Sequence, residues 1–527
     1  METLPRAWPS LVAGATAVGI VLALAWRAGG YFPPSYLTAG AVAFGVLGLL
    51  LIVRPPHYEF STHALLAFGA LAALAVWTGL SSRWSSAPDA ALAEMQRTLV
   101  YVGLFGLALI AAGSGRLAPH LMWAVLVAAL VVVVAGLISR FYPDVLGTPA
   151  AAASDELSRY RLGYPLGYWN VYGALAAFGG VLALGLAADP RSAVVLRALA
   201  AGAVVLFATG MYLSLSRGAW LAMLVGLVAL VALGAHRGSL LVTAAVVVPA
   251  TVSAIVRLHS YPALVDDPSA GAGQLASGHR FVPQLLVLVA LVVVVQAVIA
   301  AGRASENLMQ ALRRVFRPLV VGTLAIAALA TVGLYAVKAS AVEGRAANAL
   351  QSGDRWVGRQ WRDFLRPTTF SESGSARLTS SRGTRSDLYR VAVDGFEARP
   401  LIGDGAGAFE YRFMRTREVP EKVRNAHSLY LETLGGLGLV GAGLLLLFVG
   451  SLIAAAVRAR MRPGGLARSQ AAAAGAACAV WFAHSWVDWD WQMPAFTGAA
   501  LILAATLYPY GRRSRRPARK QRGLQET

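Results

Sequence analysis

PHLMWAVLVAALVVVVAGLI, Pro119 to Ile138, is a run of twenty residues with no aspartate, glutamate, lysine or arginine. Coiled as a helix, a run of that length reaches about 30 Å, the thickness of a bilayer's hydrocarbon core. Comparable runs recur over 10–26, 37–53, 63–80, 98–113, 168–187, 193–213, 218–235, 239–258, 281–301, 318–337, 428–457, 470–487 and 493–510. The composition agrees. Of 527 residues, 57% are hydrophobic and 14% charged, whereas soluble proteins carry about 25% charge. The expected fold class is all-α: a polytopic transmembrane helix bundle of about 14 helices (12–14).

The net charge of +20 would point to nucleic acid in a soluble protein. Here much of the basic excess lies in short loops and in the tail RRSRRPARKQR, so anionic lipid and topology account for it and no nucleic acid is expected. With that tail taken as cytoplasmic and the runs alternating, 21 Lys/Arg fall on cytoplasmic segments and 9 in short outer loops. Both termini are then cytoplasmic. The expected division is an N-terminal bundle over 1–337, an extracytoplasmic loop over 338–427, C-terminal membrane helices over 428–510 and a basic cytoplasmic tail over 511–527. The first run has no evident cleavage site and is kept as a membrane helix. The single cysteine, Cys478, excludes an internal disulfide and a cysteine metal cluster.

The long loop carries short helical patterns. DRWVGRQWRDFL, Asp354 to Leu365, gathers Trp356, Trp361, Phe364 and Leu365 near one face among arginines, as an interfacial amphipathic helix does. Ser371 to Ser381 reads as flexible loop. A second helix is predicted from Thr384 or Ser386, with Leu388, Tyr389, Ala392, Val393 and Phe396 as its apolar stripe. Pro400, Gly403, Gly405 and Gly407 end it, and Phe409 to Arg417 forms a further short helix.

Candidate chemistry gathers on the outer side. In SRGAWLA, Ser216 to Ala222, Arg217 sits at the membrane boundary, either snorkelling to lipid phosphate or binding a diphosphate with its planar fork. Arg385 and Arg390 lie on the second loop helix, as solvated surface or as substrate contacts. His427, at the mouth of the 428–457 run, is either a helix-terminal residue satisfied by water or backbone, or a general base poised near neutral pH. Asp404, Glu410 and Glu421 are weaker candidates for that base. In HSWVDWDWQMPA, His484 to Ala495, Asp488 and Asp490 either orient an arginine or a substrate head, or belong to a structural turn. Asn170, in RLGYPLGYWNVYGALAA, bonds either substrate or a neighbouring helix. No Walker-type loop or HExxH appears, and the other histidines are scattered, so no ATP-driven transport, cofactor or metal is expected.

Four of these stretches resemble the bacterial O-antigen ligase and O-antigen polymerase family of membrane glycosyltransferases. RNAHSLYLETLGGLGLVGAGLLLL resembles its histidine followed by a helix reading leucine–glutamate–x–glycine–leucine–glycine. SRGAWLA, the loop helix with its glycine-rich PLIGDGAG turn, and HSWVDWDWQMPA are similar to its other motifs, over about 205–495. Ser428 stands where the family often has asparagine, and the family commonly has about twelve helices. The resemblance implies transfer of a glycan from a polyprenyl diphosphate (undecaprenyl diphosphate in bacteria) to an acceptor hydroxyl on a glycan, lipid or protein. Arg217 and Arg385 would bind the diphosphate and His427 would activate the acceptor, with Arg390, Asp488, Asp490 and Asn170 in support. The expected place is the bacterial cytoplasmic membrane, in cell-surface polysaccharide assembly. The rival expectation, a transporter or flippase of lipid-linked glycan, calls for paired charges and broken helices at mid-membrane.

Overall fold

The computed structural model describes residues 4–53, 58–146, 160–234, 236–266, 271–302, 385–417, 422–461, 465–508 and 510–512. The expected helix over 318–337, the amphipathic segment Asp354 to Leu365, the Ser371 to Ser381 loop and nearly all of the basic tail lie outside the described residues.

The described chain is helical nearly throughout. Its long helices are α1 (Leu4–Ala25), α2 (Pro33–Val53), α3 (Thr62–Leu80), α4 (Pro88–Ala112), α5 (Ala118–Phe141), α6 (Trp169–Ala187), α7 (Val194–Leu213), α8 (Arg217–Leu233), α9 (Arg237–His259) and α10 (Ala272–Ala301). After two loop helices, α11 (Arg385–Ala398) and α12 (Phe409–Thr416), come α13 (Leu429–Met461), α14 (Arg468–His484) and α15 (Pro494–Ala505). Ten of the described helices are long and apolar enough to cross a membrane, and α8 and α15 are shorter apolar helices. The protein is an all-α, multi-pass membrane protein. Thirteen of the expected membrane helices coincide with these elements.

Side-chain size decides which helices lie inside. In α4 and α6, 83% and 89% of the apolar window is buried, against 17% in α10. Glycine and alanine let backbones approach closely, which drives helix association where lipid is as apolar as leucine. A side chain at Gly185 of α6 would meet Ala473 of α14 at 2.5 Å. Around α4 pack α1, α2, α3 and α15; α6 is enclosed by α7, α8 and α14. The helix α4 begins ten residues before the apolar run, because Pro88 and Asp89 suit a helix start. Arg97, just outside the apolar run 98–113, is therefore inside the helix. It pairs with Glu94 and lies 5.0 Å from the centre of the Tyr36 ring.

The connections sort onto two ends of the bundle. At one end Ser239 donates to Ala188 O, Ser469 donates to Asp189, and the two-stranded pair β1 (Tyr58–Phe60) and β2 (Tyr510–Arg512) forms. At the other end meet the segments 81–90, 160–170, 214–218, 399–408, 424–428 and 485–493.

The helix α13 breaks at Gly438, at φ 64° and ψ −162°. The break frees backbone groups, and the turn after α11 takes them. Asp404 N–H donates to Gly435 O (3.0 Å) and Gly405 N–H to Gly436 O (2.8 Å), while Leu439 N–H donates to Pro400 O (2.8 Å). Trp77 Nε1 donates to Leu437 O at 3.1 Å. Every carbonyl from 435 to 437 is thereby bonded, as apolar surroundings require. Only glycine fits at 438: a Cβ would lie 2.4 Å from the Leu401 carbonyl carbon, at a φ that side chains rarely adopt. Gly438→Ala is expected to destabilise the protein by at least about 2 kcal/mol, read as a lowered midpoint of thermal unfolding in detergent. A midpoint equal to wild type would show that the break is not held this way.

Candidate functional site

Asp488 is the centre of the site. It sits on the turn between α14 and α15, and its side chain is 0% exposed. A buried carboxylate needs partners, and it has several. Tyr168 OH donates to Oδ1 (2.9 Å), Asn170 Nδ2 donates to Oδ2, and Trp489 N–H donates to Oδ1 (3.0 Å). Arg385 Nη2, on the first residue of α11, closes an ion pair at 3.1 Å. Burial pushes the Asp488 carboxyl up, but Arg385 first, then His427 and His484, hold it below the usual carboxylate range.

Arg161 extends the network. Its Nη2 donates to Asn170 Oδ1 (2.7 Å), its Nε to Ser214 O (3.1 Å), and its guanidinium lies 4.6 Å from the centre of the Trp169 ring. Ser214 and Leu215 lead into α8, where Ser216 Oγ caps Ala219 N–H at 3.3 Å and Arg217 is the first helical residue. Gly218 brings this end against the Asp488 turn: a Cβ there would lie 3.1 Å from Val487 and 3.2 Å from His484 Nε2.

His427 precedes α13 in a left-handed conformation, φ +53°. Its Nδ1–H donates to Asn425 O at 3.2 Å, and its ring meets the Trp489 ring edge-on at 6.4 Å. Leu429 N–H donates to Ser485 O (2.9 Å), which fixes the head of α13 to the Asp488 turn. Burial lowers the His427 pKa; Asp488 pulls against that and Arg385 adds to it. Burial and Arg385 thus favour the neutral imidazole.

Four helices, α6, α8, α11 and α13, therefore begin at one place. Helix N-termini carry partial positive charge and free N–H groups, which suits an anion. Among the described residues no group of three or more His, Cys, Asp and Glu is placed to share a metal ion.

The structure brings together Asn170, Arg385, His427 and Asp488, with the start of α8 and Arg217 beside them. Two expected residues are placed otherwise. Asp490 turns inward, where both its oxygens meet His484 Nδ1 at 2.8 and 2.9 Å and Ser485 Oγ donates to it. It fixes the turn from beneath. Arg390 pairs with Asp387 and Asp394 and donates to Thr416 O, bracing α11 to α12. The stripe of α11 also shifts: Leu388, Val391, Ala392 and Gly395 are buried while Val393 is 36% exposed. The cause is close packing on Gly435 of α13, where a Cβ would lie 2.5 Å from Ala392 O. Sequence reading missed Arg161, Tyr168 and Glu432. All three carried a signal: Arg161 and Tyr168 lie in the stretch that holds Asn170, and Glu432 is the glutamate in the stretch that opens RNAHSLYLE.

The family model described as O-antigen ligase matches residues 202–446. The chain carries an O-antigen ligase family domain. Arg217, Arg385 and His427 all fall inside the O-antigen ligase domain. Asn170 lies before it and Asp488 after it, so the cluster draws residues from outside the matched stretch as well. Comparison with curated proteins gives no match. The match supports a function of O-antigen ligase/polymerase type.

Proposed function

We propose that the protein transfers a glycan from a polyprenyl diphosphate carrier to an acceptor hydroxyl. The observation that carries this reading is the Arg385–Asp488–His427 arrangement. One buried carboxylate holds a guanidinium and lies beside a neutral imidazole, at a point where four helices begin. In the proposed step the acceptor oxygen attacks the anomeric carbon as the bond from that carbon to the diphosphate oxygen breaks. His427 Nε2 takes the acceptor's proton. Arg385 and Arg217, with the helix N-termini, receive the charge that develops on the leaving diphosphate. Attack from the face opposite the diphosphate inverts the anomeric centre.

The rest of the reading follows the charge bias. The protein sits in the bacterial cytoplasmic membrane with both termini inside, and the site faces outward, where lipid-linked glycan meets a glycan, lipid or protein acceptor. A transporter is disfavoured by the nature of the α13 break. Gly438 lies about 14 Å along the helix, but the 400–405 turn fills the break and satisfies its backbone instead of leaving it to line a pathway.

The test is glycan transfer by purified protein in liposomes supplied with a polyprenyl-diphosphate oligosaccharide and candidate acceptors. Release of polyprenyl diphosphate with a longer or capped glycan of inverted configuration is expected, and the product separates polymerase from ligase. Movement of intact donor across the bilayer without transfer would overturn the reading, and retained configuration would exclude the one-step attack.

A further inference from the structure

Glu432, one turn into α13, receives three donors from two separate segments. Asn425 Nδ2 and Gln492 Nε2 both donate to Oε1 at 3.2 Å, and Ala426 N–H donates to Oε2 at 3.1 Å. Asn425 and Ala426 are the two residues before His427. Gln492 ends the short turn that follows Asp488 and Trp489. A single carboxylate thus joins the histidine loop to the aspartate loop.

The histidine loop needs such a clamp. His427 holds φ +53°, a left-handed conformation that persists in a non-glycine residue only where its surroundings fix it. The bond from His427 Nδ1–H to Asn425 O also sets the tautomer. A carbonyl can only accept, so the proton is on Nδ1 and the Nε2 lone pair is left for an acceptor. Helix capping alone does not explain Glu432. Ser428 Oγ already takes the Leu431 N–H at 3.4 Å, whereas Glu432 reaches back beyond the helix start.

We infer that Glu432 is a positioning residue for the transfer reaction: it clamps residues 425–426 and the turn ending at Gln492 together, and so presents His427 Nε2 to the acceptor hydroxyl. This inference rests on the reading of His427 as the base.

The test uses full-length protein in liposomes, with Glu432→Ala, Glu432→Gln and Asn425→Ala. Glu432→Ala is expected to lower kcat by at least about tenfold, with the KM for the polyprenyl-diphosphate glycan within about twofold of wild type. Glu432→Gln is expected to recover most of kcat, because its carbonyl can take the fixed Ala426 N–H while the amides of Asn425 and Gln492 turn over. Should Glu432→Ala fail to fold, Asn425→Ala is expected to show the same kcat-selective loss, more mildly. A second readout needs no turnover: modification of His427 by diethyl pyrocarbonate, followed by peptide mass, is expected to run several-fold faster in Glu432→Ala and at the wild-type rate in Glu432→Gln. Wild-type kcat and modification in Glu432→Ala, a loss confined to KM, or equal damage in Glu432→Gln would overturn the inference. A wild type that transfers no glycan would instead defeat the proposed reaction, and the modification rates would still decide whether Glu432 holds His427.

Discussion

His427→Ala is expected to cut glycan transfer by about 10²- to 10⁴-fold, the range a positioned base contributes, while thermal unfolding stays close to wild type. The side chain is partly buried, and among the described residues its hydrogen bond is to the carbonyl of Asn425, two residues away. Its loss therefore removes little packing. The pH dependence gives the sharper check. Burial, with Arg385 adding to it, places the His427 pKa below its ordinary value. A base works unprotonated, so the rate should fall on acidification. Asp488 does not confuse that window: its pKa is itself lowered, so its pairing with Arg385 is lost only well into acid. Transfer rates of wild type and His427→Ala measured across that range settle the point. A variant with wild-type rate, or a wild-type rate that rises on acidification, would remove His427 from the reaction.

Asp488→Ala should harm both stability and activity. It leaves Tyr168, Asn170 and Arg385 without the carboxylate that all three bind. Breaking a buried pair from one side costs about 3–5 kcal/mol. The lower end applies here, because the Arg385 side chain keeps 29% exposure and regains some water. Transfer should fall by about 10²-fold or more through misplacement of Arg385. A double-mutant cycle with Arg385→Ala isolates the pair. The two losses should be far from additive, since each variant breaks the same contact. Additive losses would mean that Asp488 does not act through Arg385.

The sequence was most readable where one physical signal dominates. Uninterrupted apolar length placed the long helices, and the Gly-rich PLIGDGAG run announced a turn. The polar first ten residues of α4 were missed because they carry no apolar run, although Pro88 and Asp89 mark a helix start. The break at Gly438 was invisible because LGGLGLVGAG reads as continuous apolar helix; only the incoming 400–405 turn shows why the backbone opens there. His427, Arg385 and Asp488 were legible as residue types that suit the chemistry. The way they are held was not. Arg161 meets the residues before α8 from more than 50 positions away, and Glu432 meets Gln492 from 60. Nothing in one chain's local pattern reports such distances.

The turn that carries Asp488 also sets an order in time. Ribosomes make Arg217, Arg385 and His427 before this turn exists, and the carboxylate that gathers them comes with the hairpin of α14 and α15. The last of these helices then packs against α1 and α4, among the first to be made. During synthesis the chain thus passes through a long stage in which most of the recognised domain is already in the membrane but the centre of its site is missing. The carboxylate arrives with the α14–α15 hairpin, so the cluster around Asp488 cannot form in a chain still short of it.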